Sequence, residues 1–236
     1  MTTIGERMQA VKTGIQTAAL ACGRNPDTVQ LLAVSKAQTV DKIREAYAAG
    51  QRLFGENYLQ EALDKQGKLQ DLDIEWHFIG PIQSNKTQAI AQHFAWVHGV
   101  DRQKIAERLN AARQGLPPLQ VCIQVNVSDE SSKSGVSPEE VMPLTETILA
   151  LPHLQLRGLM SIPAPTTDEA QQRQQFGLVR QVFEDLQRHL PQTPHLDTLS
   201  IGMSADYPSA IAEGATIVRV GSAVFGIRPV RTKEAA

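Results

Sequence analysis

The sequence predicts an α/β protein whose strands close into a (β/α)8 barrel. Three observations carry the prediction. Short apolar runs alternate with helix-patterned segments, so neighbouring strands are parallel, because each such crossover needs a helix. Eight of these runs are present, the number that closes a barrel; an open, doubly wound sheet is the competing architecture. An amphipathic helix precedes the first strand, while residues 221–236 are too few for a full outer helix after the eighth. That first helix is therefore expected to fill the vacant place in the outer ring.

The elements follow in order. Ile4, Met8, Val11, Ile15 and Ala19 recur at helical spacing and mark a helix that ends near Cys22-Gly23, before a turn at Asn25-Pro26. Leu31–Ser35 is a continuous apolar run ending in a serine, the mark of a buried parallel strand. A helix over Val40–Ala49 is stopped by Gly50, where a left-handed residue is wanted. Leu53–Gly55 is the second strand, followed by a helix through Lys68. Glu75–Ile79 is the third, with Ser84 capping the next helix, and Trp96–Gly99 is the fourth, with Asp101 as the next cap. Leu119–Val127 is the fifth. Ser137-Pro138-Glu139-Glu140 is a capping box with proline at the first helical position. Leu156–Ile162 is the sixth strand, and Thr166 with Glu169 reads as a second capping box opening a helix to His189. Leu196–Ile201 is the seventh, Pro208 suits the first turn of a helix that Gly214 ends, and Ile217–Val220 is the eighth. No linker or shift in composition divides the chain. Residues 1–236 read as one domain, with residues 1–23 packed on the barrel.

Composition excludes several classes. The chain has 236 residues, 42% hydrophobic and 20% charged, enough for a sizeable core. A net charge of −2 offers no basic surface to nucleic acid or to an acidic membrane. Met1–Ala10 has no signal-peptide pattern and no apolar stretch can span a bilayer, so a cytoplasmic protein is expected. Cys22 and Cys122 stand far apart, which fits a reducing compartment. The 6 histidines lack HxH or HExxH spacing, so no metal site is expected.

In a barrel of this kind the chemistry sits at the carboxyl ends of the strands. Lys36 follows the first strand, and partial burial there lowers a lysine's pKa and frees its amine to attack carbonyls. The second strand leads into Glu56-Asn57-Tyr58, the third carries His77, and the sixth ends at Met160-Ser161. The seventh ends in Ser200-Ile201-Gly202-Met203-Ser204, and the eighth carries Arg219 before Gly221-Ser222. These last two ends are small, hydroxyl-bearing and placed before helix starts, whose free N–H groups favour an anion. Each feature has a plainer reading: Lys36 as a strand-end lysine reaching solvent, Gly202 and Gly221 as turn residues, Arg219 paired with a carboxylate such as Glu56, His77 as a satisfied core histidine, Asn57 as a helix cap, Lys133 as a surface charge in a solvated loop. Together, an amine, an arginine and a phosphate cradle on one rim suit pyridoxal 5′-phosphate (PLP), which needs a partner for its aldehyde, its ring nitrogen and its phosphate.

The segments Leu32-Ala33-Val34-Ser35-Lys36, Phe54-Gly55-Glu56-Asn57-Tyr58, Trp76 through Lys86, Arg157-Gly158-Leu159-Met160, Leu199 through Ser204 and Val218-Arg219-Val220-Gly221-Ser222 resemble the pyridoxal phosphate homeostasis protein family. Its members are small PLP-binding proteins similar to the barrel domain of alanine racemase. The resemblance spans Leu32 to Gly226 and implies a single TIM barrel of the alanine racemase N-terminal type. It implies that Lys36 carries PLP as a Schiff base and that Arg219 faces the pyridine nitrogen. It places the phosphate among Ser200, Ser204, Gly221 and Ser222, with Met203, Asn57 and His77 lining the site. Serine at position 222 keeps the hydroxyl that threonine often supplies in this family.

The resemblance further implies a carrier that supplies or buffers PLP without turnover, acting as a monomer, with apo-enzymes that need PLP as recipients. The few residues after the eighth strand are expected to leave no room for the second domain that supplies an opposing acid or base in the racemases. An arginine at the ring nitrogen also disfavours its protonation and weakens the ring as an electron sink. The competing readings are a PLP-dependent racemase or decarboxylase on the same lysine, and a Schiff-base aldolase without a cofactor. Lys133 and Lys233 stand as candidate secondary PLP sites.

Overall fold

A computed structural model describes residues 2–128 and 134–226 of the chain. The strands are β1 Gln30–Val34, β2 Leu53–Glu56, β3 Glu75–Phe78, β4 Trp96–Val100, β5 Leu119–Gln124, β6 Leu154–Met160, β7 Thr198–Met203 and β8 Ile217–Val220. They form a closed barrel in sequence order, and β1 closes it by pairing in parallel with β8, Leu32 beside Arg219. The predicted barrel is therefore observed. Its outer ring is α2 Val40–Ala48, α3 Leu59–Lys68, α4 Thr87–His93, α5 Gln103–Ala112, α6 Val141–Leu149, α7 Glu169–His189 and α8 Tyr207–Ala212, with the single turn α9 Ser222–Phe225 after β8.

The first helix, α1 Ile4–Ala21, packs against α2, α8 and α9. It buries the stripe Ile4, Met8, Val11, Ile15 and Ala19 that its spacing predicted. Thr3 and Glu6 close a capping box at its start, and Glu45 of α2 accepts from the Ile4 N–H at 2.9 Å. Among the described residues, no helix is long and apolar enough to cross a membrane.

Alternation along each strand separates two packed regions. Outward residues such as Ala33, Phe54, Phe78, Val97, Ile123, Leu159, Ile201 and Val218 join the main core under the helices. Inward residues fill the lumen with two smaller apolar groups, Leu32, Val34, Ile79 and Ile217 on one side and Trp96, Cys122 and Met160 on the other. The lumen also holds polar side chains with no exposure, His77, His98 and Ser200.

Several boundaries differ from the sequence reading. β5 ends at Gln124, because Val125 leaves the ladder to bridge Val136. β6 starts at Leu154, earlier than the apolar pattern suggested. Asp168, not Thr166, caps α7, its carboxylate accepting from the Ala170 N–H at 2.8 Å. Asp101 pairs with Arg102 instead of capping α5. Ser84 opens a 3-10 turn, Ser84–Lys86, ahead of α4. The box at Ser137 and Glu140 forms as expected, in the turn that enters α6.

Candidate functional site

The carboxyl ends of β1, β2, β7 and β8 surround a cavity of about 240 Å³. Its wall brings together Lys36, Asn57, Met203, Ser204, Arg219, Gly221 and Ser222, seven of the nine residues singled out from the sequence. An adjoining lobe of about 250 Å³ shares Asn57, Ile79 and Ile162 and extends toward Gln124 and Ser134. The exposed side chains of Tyr58, Ile162 and Met203 stand at the strand ends around this mouth.

Lys36 follows the last inward residue of β1 and is half-buried. Its backbone is gripped on both sides by a charge cluster under the barrel wall. Lys65 of α3 donates at 2.7 Å to the Ser35 carbonyl, to Glu56 Oε1 and to Glu61 Oε1. The Ser35 hydroxyl donates to Glu56 Oε1 at 2.5 Å, and Glu61 Oε1 accepts from the Ala37 N–H at 2.6 Å. Ala37 is held at φ 58, the left-handed region that alanine seldom enters. The cluster thus fixes the direction in which the chain, and Lys36 with it, leaves β1. Burial pushes the Glu56 carboxyl upward, opposed by Lys65. These bonds also dispose of the sequence-based pairing of Glu56 with Arg219: Glu56 points outward to α3, Arg219 inward.

Arg219 is almost fully buried, and among the described residues none of its hydrogen-bond partners is a carboxylate. Nη1 donates to the Ser200 carbonyl at 2.5 Å and to Ser200 Oγ at 2.9 Å, and Nη2 donates to the Ser161 carbonyl at 2.9 Å. Desolvation lowers its pKa to about 10, with the charge of Asp206 opposing the shift, so it stays a cation at neutral pH. A buried cation bound only by neutral acceptors favours an electron-rich partner, and Arg219 lines the cavity.

The ends of β7 and β8 supply donors. Asp206 Oδ1 accepts from the Met203 N–H at 2.5 Å and folds the β7 exit over. Gly202 sits at φ 88, and a Cβ there would lie 2.5 Å from that of Ala210, so this turn needs glycine on both counts. Among the described residues, the backbone N–H groups of Ser204, Ala205, Ser222 and Ala223 have no protein acceptor. Asn57 Oδ1 is buried and likewise unpartnered. Gly80 lets this loop settle, since a Cβ there would meet the Asn57 carbonyl at 2.4 Å.

Two of the nine residues lie elsewhere. His77 points into the lumen, stacked on Trp96 with ring centroids 5.3 Å apart, and Ser200 is bound to Arg219 and His98 beneath the cavity. Both are on inward positions of their strands, one layer below the mouth. His98, Lys65 and Glu61 were not singled out from the sequence. Lys133 and Lys233 lie outside the described residues. A larger depression of about 800 Å³ opens at the amino ends of the strands, but its arginines are already engaged, Arg113 with the Phe94 and Pro117 carbonyls and Arg157 with Asp197.

The donor set at the smaller mouth fits PLP. It offers an amine on a fixed backbone, a buried cation without a carboxylate partner, and unpaired N–H and hydroxyl groups from two loops side by side.

Comparison with known proteins agrees with this geometry. Residues 8–229 match the family model "Alanine racemase, N-terminal domain". The chain is 57% identical to the "Pyridoxal phosphate homeostasis protein" of Pseudomonas aeruginosa, covering 97% of each chain. It is 48% identical to the protein of that name from Escherichia coli, over 99% of this chain and 100% of the relative. The structure of PipY from Synechococcus elongatus with PLP bound superposes with a TM-score of 0.82 at 41% identity, covering 95% of this chain and 100% of that one. Alanine racemase from Corynebacterium glutamicum shares the fold at 19% identity, TM-score 0.65, with this chain covering 62% of its length. By sequence over nearly its whole length and by the architecture of its barrel, the chain belongs to the pyridoxal phosphate homeostasis protein family.

Proposed function

We propose that the protein binds PLP at the mouth of the barrel, holds it as a Schiff base on Lys36, and serves PLP homeostasis by supplying or buffering the cofactor. The observation that carries this reading is the convergence of Lys36, Arg219 and the β7 and β8 loops on one cavity. The relatives' name and the PLP-bound PipY structure support it. When bound, PLP supplies an aldehyde that amines capture reversibly and a ring that accepts electron density.

The chain's own residues divide the work. Lys36 presents its amine from a clamped backbone, so little backbone entropy is lost on capture. The hydroxyls of Ser204 and Ser222 and the N–H groups beside them donate to phosphate oxygens. Arg219 faces the ring nitrogen as a donor; being positive, it opposes protonation there. Ser200 holds Arg219 from below rather than touching the phosphate, and His77 acts two removes further, through His98.

The same geometry supports a carrier over an enzyme. Catalysis at a substrate's Cα needs an acid or base within hydrogen-bond reach on each face. Among the described residues, Lys36 and Arg219 are the titratable side chains on the cavity wall. Arg219, cationic at neutral pH, is no base. The adjoining lobe keeps one side open, which suits entry of an amine and release of PLP by exchange more than it suits water-excluded chemistry. On this reading the protein acts as a monomer in the cytoplasm and passes PLP to apo-enzymes. The test is to incubate PLP-loaded protein with L-alanine and other amino acids in deuterium oxide and to follow the Cα proton by NMR. A carrier leaves it in place while PLP appears in an added apo-enzyme; exchange at many turnovers per second would restore a racemase or decarboxylase.

A further inference from the structure

A line of buried hydrogen bonds runs through the lumen from the amino-terminal mouth to the proposed cofactor site. Glu75 Oε1 lies 3.0 Å from His77 Nε2, His77 Nδ1 lies 2.9 Å from His98 Nε2, and His98 Nδ1 lies 2.9 Å from Ser200 Oγ. Ser200 Oγ in turn lies 2.9 Å from Arg219 Nη1. The histidines and the serine have no exposure, whereas the Glu75 side chain is 45% exposed. We infer that Glu75, from the face of the barrel opposite the cofactor, is a positioning residue that sets the direction of every hydrogen bond in this line and so fixes Arg219 for the PLP ring nitrogen. The inference rests on the functional reading above for the place of PLP.

The two ends leave one arrangement. A guanidinium cannot accept a hydrogen bond and an ionised carboxylate cannot donate one. Burial lowers the pKa of both histidines, and for His98 the charge of Arg219 adds to it, so both rings are neutral at neutral pH. The bond to His77, with Arg157 and Trp96 also facing it, keeps Glu75 ionised. A neutral imidazole has one donor and one acceptor. His77 therefore donates from Nε2 to Glu75 and accepts at Nδ1; His98 donates from Nε2 to His77 and accepts at Nδ1; Ser200 donates its hydroxyl to His98. Both lone pairs of Ser200 Oγ are then left for Arg219. All four bonds point the same way, from the cation to the carboxylate, and bonds aligned in a low-dielectric lumen polarise one another. An amide at position 75 can donate as well as accept, so it no longer dictates this order, and a reversed line would turn the Ser200 hydroxyl away from His98.

The test uses Glu75→Gln, an isosteric change at a half-exposed position that leaves the barrel folded. Long-range proton–nitrogen NMR on the PLP-free protein reads the tautomers of His77 and His98. Protonation at Nε2 and a bare Nδ1 in both rings is expected, with mixed tautomers in Glu75→Gln. With PLP added, the variant is expected to show a shifted absorbance of the bound cofactor and an affinity about tenfold weaker, the share of one charge-assisted hydrogen bond. An Nδ1-protonated ring in the unaltered protein would overturn the inference. So would ordered tautomers with an unchanged spectrum and affinity in the variant, since the line would then exist without reaching the cofactor. If the unaltered protein took up no PLP, the functional reading would fall and the coupling with it, while the tautomers would still report whether Glu75 orders the line.

Discussion

Replacing Lys65 with methionine removes the cation that holds the Lys36 corner together while keeping an apolar stem of similar length. Lys65 makes three hydrogen bonds at 2.7 Å, and the side-chain exposures of the Lys65–Glu56 pair are 6% and 0%. Without it, the Glu56 carboxylate keeps the Ser35 hydroxyl as its donor, and its second oxygen is already unpartnered. Breaking a buried pair from one side costs about 3–5 kcal/mol, about a fifth or more of the stability of an ordinary domain. The loss is pH-dependent. Burial already raises the Glu56 pKa above 4.5, and removing Lys65 takes away the principal opposing influence, so the folded variant binds a proton more readily than the unfolded chain. Its deficit is therefore greatest at pH 8 and shrinks as pH falls toward 5. Urea unfolding followed by the fluorescence of Trp76 and Trp96 measures this, and Lys65→Met with Glu56→Gln should recover most of the loss. PLP capture by Lys36 should slow, because the Ser35 carbonyl loses its anchor. A loss below about 1 kcal/mol, or one independent of pH and unrelieved by Glu56→Gln, would refute the view that this pair is a buried, mutually dependent clamp.

Three further outcomes follow from the lumen and the outer ring. Arg219→Glu should place a carboxylate at the ring nitrogen and favour a pyridinium, altering the spectrum of bound PLP and its pH dependence; Arg219→Gln keeps the test open if charge reversal prevents folding, and an unaltered spectrum with binding retained would put Arg219 away from the ring. His77 and His98 are held neutral in the fold, with pKa values below the 6.5 of the unfolded chain. Their contribution to stability is complete above pH 6.5 and is lost as pH falls below it, so the urea midpoint should drop between pH 7 and 5.5, and drop less in His98→Gln; equal drops would count against neutral buried rings. Deleting residues 2–21 should expose the faces of α2, α8 and α9 that Ile4, Met8, Val11 and Ile15 cover, and lead to aggregation or a large fall in Tm; a soluble product with an unchanged Tm would contradict that packing.

The barrel was legible because its signals are local. Each apolar run is short, each crossover is helical, and Gly50 and Gly214 adopt the positive φ that ends an element. Boundaries failed where an apolar run continues past the ladder, as at Val125, whose partner Val136 is not visible from its neighbours. The mouth was legible because Lys36, Ser204 and Ser222 follow strand ends in sequence as they do in space. The layer beneath it was not. His98 gains its meaning from Ser200, 102 residues away, and nothing in Trp96-Val97-His98-Gly99 announces that partner. Its inward placement could have been read from its two-residue spacing from Trp96, had the register with His77 been known. The clamp left one trace in the sequence, the i,i+4 spacing of Glu61 and Lys65, but that spacing marks countless surface pairs and gives no hint of burial.

The claim that Lys36 is the residue that holds PLP is tested most directly by trapping the bond. The purified protein, incubated with PLP, should show an absorbance band distinct from free PLP that borohydride abolishes. Proteolysis and mass spectrometry should then place one phosphopyridoxyl group on the peptide containing Ser35-Lys36-Ala37, and Lys36→Ala should remove both the band and the adduct. Stoichiometric labelling of any other lysine in the unaltered protein, or a reducible band that survives in Lys36→Ala, would contradict the account.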